Sequence, residues 1–339
     1  MEVIAGWTHR AFPIDDPSQV GAARRHAANL AQAIALSETE AGCLAVIVTE
    51  LGTNLLRHAR KGRLLIAARS TMNDVEVLSI DEGPGIADVT VAMRDGHSSG
   101  STPSTGLGAV QRLATYFEMH SSTPNGTLCV ARVGNQSTSG CSAGAFAIGA
   151  VCLPVPGESE CGDGWAAAID GDTARVIVAD GLGHGPEAAK ASKAATTAFA
   201  GQPFAGLRET IHTAHVALQA TRGAAVCAAS LDATASSLTY AGAGNVVGRV
   251  VSGVFDKSLI TQQGTVGLQI RRPEESKQEW PTHALVILQS DGIETRWKAQ
   301  TIAPLLMRDP ALVAALLLRD HSRQRDDATV VVLRRRSNA

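Results

Sequence analysis

Val176-Ile177-Val178-Ala179-Asp180-Gly181-Leu182-Gly183-His184-Gly185-Pro186 is an apolar run that ends in Asp-Gly and breaks into a glycine-rich turn before a proline. Such a run, closed by glycines, fits a buried strand that delivers an aspartate at its end. Leu285-Val286-Ile287-Leu288-Gln289-Ser290-Asp291-Gly292 repeats the pattern further on. Asp326-Asp327 stands directly before the apolar run Ala328–Arg334, and Cys161-Gly162-Asp163-Gly164 precedes another. Asp-Gly is common in ordinary turns, and any one of these segments taken alone reads as a turn. Their recurrence at several strand ends changes the reading. Buried strands that bring carboxylates to one sheet edge collect negative charge, which is costly unless cations neutralise it. Two divalent ions about 4 Å apart would do so, and could activate a bridging water for in-line attack on a phosphoester.

Around these acids the second half reads as strands in runs with helices between them. Strands are expected near 144–153, 164–170, 174–180, 224–231, 236–241, 246–252, 284–290 and 328–334. Helices are expected at 186–200, 205–221 and 309–320, with an irregular stretch at 255–282. Stacked sheets flanked by helices follow from that order.

The first half is built differently. Val20, Ala23, Ala27, Leu30 and Ile34 recur at helical spacing over 17–36, with Asp16 or Ser18 as the cap. Ser37 followed by Glu40 fits a capping box for a second helix through about His58. Residues 63–69 and 75–81 are short apolar runs, a helix is expected from Gly106 to Tyr116, and a strand near 127–133 closes the half. The polar stretch Gly134–Gly140 is the best linker in the chain. The expected division is 1–133, a linker at 134–143, and 144–339.

Three segments of the first half carry chemistry. In Glu50-Leu51-Gly52-Thr53-Asn54-Leu55-Leu56-Arg57-His58, residues Glu50, Asn54 and His58 fall on one helical face. An amide oxygen is a hard ligand for magnesium, and a carboxylate one turn away can orient or deprotonate a hydroxyl. An ordinary polar stripe would look the same. Asp81-Glu82-Gly83-Pro84-Gly85-Ile86 follows the run Val75–Ile80 and is either a surface turn or an aspartate placed to accept from an adenine amino group. Ser104-Thr105-Gly106-Leu107-Gly108-Ala109-Val110 opens a helix whose N-terminal amides suit phosphates.

In order and spacing the three segments resemble the N, G1 and G2 boxes of the GHKL ATPase/kinase superfamily, which includes histidine kinases and gyrase. Residues 15–133 resemble the small serine kinases of bacterial partner-switching systems, and the short Ser/Gly-rich segment with Met93-Arg94-Asp95-Gly96 is similar to the stressosome switch kinase. The resemblance implies a mixed sheet with helices on one face, ATP and Mg2+ as cofactors, Glu50 as catalytic base and Asn54 as magnesium ligand. It further implies Asp81 on adenine, and His58, Gly83, Gly85, Thr105, Gly106, Leu107 and Gly108 around the nucleotide.

The second half resembles the PP2C/SpoIIE family of metal-dependent Ser/Thr phosphatases. The matching segments are Gly162-Asp163, Asp180-Gly181-Leu182-Gly183-His184-Gly185, Gly242-Ala243-Gly244-Asn245, Ser290-Asp291-Gly292 and Asp326-Asp327-Ala328-Thr329. This resemblance implies an αββα sandwich. It also implies two Mn2+ or Mg2+ ions held by Asp180, the Gly181 carbonyl, Asp291 and Asp326, with Asp163 as a further ligand; Asp180 and Asp291 are then catalytic. Asp326 and Asp327 compete for one ligand position, and the alignment favours Asp326. His184 is expected to shape the turn before Pro186 rather than to act in catalysis.

Together the two resemblances imply an α/β two-domain regulator that phosphorylates and dephosphorylates a STAS-domain protein, in a pathway with a sigma factor or downstream signalling enzyme. The alternative makes the first domain an anti-sigma or ATP-sensing binding module. The net charge of −2 gives no reason to expect nucleic acid as a partner. No window approaches the roughly 20 apolar residues that span a bilayer, and residues 1–14 lack the apolar run of a secretion signal. The six cysteines are scattered without a C-x-x-C pair, so reduced thiols in a cytoplasm are expected.

Overall fold

The computed structural model describes residues 1–93, 106–134 and 145–336. The chain forms two units, His9–Cys141 and Met1–Thr8 with Ser142–Ala339.

In the unit His9–Cys141, the Asp16 carboxylate accepts from Ser18 N at 2.7 Å and starts the helix Pro17–Ala33. Ser37 and Glu40 form the expected capping box for the helix Glu38–His58. Five strands follow the order Arg10–Pro13, Arg63–Arg69, Asp74–Ile80, Thr127–Gly134, Tyr116–Ser121. The four pairings are all antiparallel, so the sheet is not mixed. Short turns join Arg63–Arg69 to Asp74–Ile80 and Tyr116–Ser121 to Thr127–Gly134, so each of these pairs runs in opposite directions. Both long helices lie on one face, over Leu64, Ile66, Val75, Val77 and Ala131, and Glu38–His58 turns its Ile47, Val48 and Leu51 into that core. The helix beginning at Gly106 ends at Leu113, and Tyr116–Ser121 is strand.

In the second unit, one sheet has the strand order Glu2–Ala5, Asp163–Asp170, Thr173–Gly181, Ala224–Asp232, Ser237–Ala243, Ser276–Glu279. The other runs Asp256–Leu259, Val247–Val251, Leu285–Gln289, Ala328–Arg335, Phe146–Leu153. Helices Pro186–Gly201 and Leu207–Leu218 pack on the first sheet through Ala191, Ala195, Phe199, Ile211 and Leu218. Helix Pro310–His321 covers the second sheet, so close that a Cβ on Gly149 would lie 2.1 Å from Ala311 N. This is the four-layer αββα arrangement.

Residues 1–8 do not join the N-terminal unit, which corrects the expected division at that end. Glu2–Ala5 pairs antiparallel with Ala166–Ile169. Beyond it Trp7 meets Trp165 edge-on at 4.6 Å, and Trp165 Nε1 donates to the Trp7 carbonyl at 3.3 Å. Among the described residues no helix is long and apolar enough to cross a membrane.

Candidate metal centre and nucleotide site

Strand register brings the acids of the second unit together. Asp163 and Asp180 are cross-strand partners at the ends of adjacent antiparallel strands. From the other sheet, Ser290 connects to the same place: its hydroxyl donates to Asp163 Oδ2 at 2.6 Å and accepts from Thr329 N at 2.9 Å. Asp291 follows Ser290, and Asp326 and Asp327 precede the strand Ala328–Arg335. Gly181 N donates to the Gly162 carbonyl at 3.1 Å, fixing the turn that presents the Gly181 carbonyl. A side chain at Gly181 would strike the Ala188 carbonyl, 2.2 Å from an added Cβ.

The carboxylates feel one another. Burial pushes the Asp180 carboxyl up to about 7, helped by the charges of Asp291, Asp326 and Asp327. Burial and then Asp180 push Asp163 well above the usual carboxylate range. Burial and Asp326 also raise Asp291, opposed by Arg323 and by the Asn245 amide, whose Nδ2–H donates to it. These groups suit a divalent cation: hard oxygen donors, partly desolvated, with mutual repulsion that a cation would relieve. Among the described residues no three His, Cys, Asp or Glu side chains close on one point.

Asp326 and Asp327 separate cleanly. Both Asp327 oxygens are occupied, by Val155 N at 2.8 Å and Gly162 N at 2.9 Å, and the residue is buried. It ties the loop before Asp163 to the strand that follows it in the other sheet. Asp326 accepts only from Asp327 N, at 3.0 Å, among these contacts. His184 is exposed, with Nδ1 2.8 Å from Glu158 Oε1, and it lies in a turn where Gly183 and Gly185 have φ of 88° and 73°. That turn leads into the helix at Pro186. Sequence reasoning missed Ser290 as the group that holds Asp163, and Asn245 as the donor to Asp291. Both lie in segments it had singled out.

In the first unit the three segments also converge. Glu50 and Asn54 are half-buried on the helix Glu38–His58, whose other side sends Leu51 and Leu55 into the core, while His58 is exposed at its last turn. The Asp81 turn docks on that helix end: Glu82 N donates to the Arg60 carbonyl at 2.9 Å, and a Cβ on Gly83 would sit 3.0 Å from the His58 carbonyl. Asp81 is buried and accepts from Gly83 N at 2.6 Å and Thr127 N at 3.2 Å. Gly85 has φ of 75°, and a Cβ there would meet the Ser122 carbonyl at 2.6 Å, so only glycine fits. The helix Gly106–Leu113 packs beside Glu38–His58 and begins at Gly106 with φ of 61°. Gly108 is buried, and Leu107 packs on the helical core. Thr105 and Arg94 lie outside the described residues.

Comparison with known proteins finds two families along the chain. The histidine kinase-like ATPase domain family matches residues 14–132, and the stage II sporulation protein E (SpoIIE) family matches residues 170–336. Serine/threonine-protein kinase RsbT of Bacillus subtilis (strain 168) is 30% identical over 108 residues, which is 31% of this chain and 81% of that protein. Among solved structures, a chain described under "The bacterial stressosome: a modular system that has been adapted to control secondary messenger signaling" is 25% identical. It superposes with a TM-score of 0.53 and covers 56% of this chain and 99% of its own. RsbX in complex with magnesium, at 19% identity and a TM-score of 0.50 over 56% of this chain and 96% of its own, shares the fold. The chain belongs to the RsbT family through its histidine kinase-like ATPase domain, and it carries a SpoIIE/PP2C-type phosphatase domain behind it.

Proposed function

We propose that this chain is a fused partner-switching regulator, in which the first domain phosphorylates serine or threonine on a STAS-domain protein of the cytoplasm and the second removes phosphate. The observation that carries the reading is the convergence of Asp163, Asp180, Asp291 and Asp326 on one edge of the sandwich, in a chain whose other unit is RsbT-like.

In the second domain Asp180, the Gly181 carbonyl, Asp291 and Asp326 would hold two Mn2+ or Mg2+ ions, with Asp163 alongside. When bound, the ions supply charge neutralisation and an activated water. The chain's own residues aim the ligands. Ser290 holds Asp163, Asn245 holds Asp291, and Asp327 fixes the loop through two backbone amides. In the first domain Glu50 would accept the proton of the attacking hydroxyl. Asn54 would hold Mg2+, Asp81 would read adenine, and Gly106, Gly108 and the neighbouring amides would face the phosphates.

Both activities running freely on one phosphosite would only hydrolyse ATP, so the two domains are under reciprocal control or act on different sites. Incubating the full chain with a STAS-domain protein, ATP and Mn2+, then mapping phosphosites by mass spectrometry, tests this. Glu50→Ala should abolish new phosphate while nucleotide binding persists, and Asp180→Ala should let phosphate accumulate. A phosphosite pool unmoved by Asp180→Ala rules out a shared substrate. No transfer by wild type, together with stoichiometric capture of a sigma factor, would make the first domain a binding module.

A further inference from the structure

Cys152 and Cys161 come together although eight residues of chain separate them. Cys152 is the second-last residue of the strand Phe146–Leu153, and Cys161 lies two residues before the strand Asp163–Asp170. Their sulfurs are 3.6 Å apart and both residues are free thiols. Both line a groove of about 610 Å³, with Asp163, Trp165, Ser192 and Lys193 on its walls, so a small solute can reach them although each is buried. They also adjoin the carboxylate cluster. Cys152 Sγ is 3.9 Å from the Asp163 carbonyl, and Gly162, next to Cys161, donates to Asp327.

We infer that Cys152 and Cys161 are a redox modification site, closing to a reversible disulfide that turns the adjacent site down. A hydroperoxide oxidises one thiol to a sulfenic acid: the O–O bond breaks, the sulfur gains OH, and water or an alcohol leaves. The second thiol attacks that sulfur, the S–S bond forms and water leaves. Two electrons pass from the sulfurs to the peroxide, and a thiol reductant returns them by exchange. Closing the bond shortens the sulfur separation from 3.6 Å to about 2.05 Å. That pull of about 1.5 Å acts on Cys161, beside the Gly162 amide that anchors Asp327 and two residues from Asp163. Displacements of that size in a site cost about 10²-fold in rate.

Bond formation rests on the thiol geometry alone, and the loss of activity rests on the phosphatase reading. The full chain is treated with hydrogen peroxide, alkylated, and digested after glutamate; Glu158 and Glu160 lie between the two cysteines, so their peptides stay joined only if cross-linked. Expected are a peptide pair joined through Cys152 and Cys161, at least tenfold weaker Mn2+ binding by calorimetry, and at least tenfold slower hydrolysis of p-nitrophenyl phosphate. Dithiothreitol should reverse all three. Cys152→Ala and Cys161→Ala should resist peroxide, whereas Cys227→Ala, a buried cysteine of the same unit, should remain sensitive. Absence of the cross-linked pair overturns the inference, as does a cross-link that leaves Mn2+ binding unchanged. Should the reduced protein hydrolyse no phosphoester, the phosphatase reading fails, while the peptide and the Mn2+ titration still decide this one.

Discussion

Glu76, in the core of its unit, and Asp180, at a strand end of the other, are both carboxylates whose surroundings push them in opposite directions. Burial would raise Glu76, but Arg132 and Arg69, with His9 beside them, outweigh it and hold the carboxyl far below its ordinary range. Arg132 Nε donates to it at 2.7 Å and the group is fully buried. Replacing it strands a buried guanidinium, so Glu76→Gln should cost about 3 kcal/mol at pH 7, read by urea unfolding of the full chain. The stabilisation is complete above the unfolded-state value of about 4.3 and fades as pH falls toward the lower folded value. Wild type and Glu76→Gln should therefore converge in acid; a gap that widens there would contradict the account. Asp180 runs the other way. With its folded value at about 7, the cation-free protein is favoured below the unfolded value of about 3.9 and loses that advantage as pH rises through 7. Asp180→Asn should flatten the fall in melting temperature between about pH 4 and 7, followed by scanning calorimetry in chelator. A fall as steep as wild type would show that Asp180 is not the strained group. The strand-end aspartates were legible because Asp180 and Asp291 each close an apolar run followed by glycine, while Asp163 and Asp326 stand at the start of others. The partners of Glu76, and the Ser290 hydroxyl on Asp163, were not, since those contacts join residues far apart in sequence.

At the scale of elements, helix starts and long strands could be read from the chain, because caps and apolar periodicity are local. Ser37 with Glu40, and Asp16, stand where their side chains predict. Short strands could not be read. Glu2–Ala5 and Arg10–Pro13 have four residues each, too few for a pattern, and the stretch 255–282 hides four strands of two to four residues. Such pieces are made by pairing, not propensity. The turn at Gly292 shows how tightly the loops bearing Asp291 and Asp326 fit: a Cβ there would lie 1.9 Å from the Asp327 carbonyl. Gly292→Ala should push apart the loops bearing Asp291 and Asp326, lower stability by about 2 kcal/mol, and weaken Mn2+ binding. Unchanged Mn2+ affinity would mean that the spacing of these loops is not what sets the site.

For the whole molecule, residues Met1–Thr8 belong to the second unit. Glu2–Ala5 is an edge strand of the phosphatase sheet, and Trp7 covers Trp165, two residues from Asp163. In sequence, the unit His9–Cys141 thus lies between Glu2–Ala5 and the strand that it pairs with, Asp163–Asp170. Deleting Met1–Thr8 should expose Trp165 and lower the melting temperature of the phosphatase unit by about 5 °C or more, given that each kcal/mol shifts a domain of this size by about 2–4 °C. Tryptophan fluorescence would follow it, and an unshifted transition would contradict the strand's role. On the proposed function, Asp163, Asp180, Asp291 and Asp326 would hold divalent cations for phosphoester hydrolysis. Calorimetric titration of Mn2+ into the full chain, alongside release of phosphate from a phosphoserine peptide, tests it most directly. The account predicts two bound ions per chain and hydrolysis that Asp180→Asn and Asp291→Asn both abolish, with ion binding weakened in step; binding and hydrolysis that survive in both variants would contradict it.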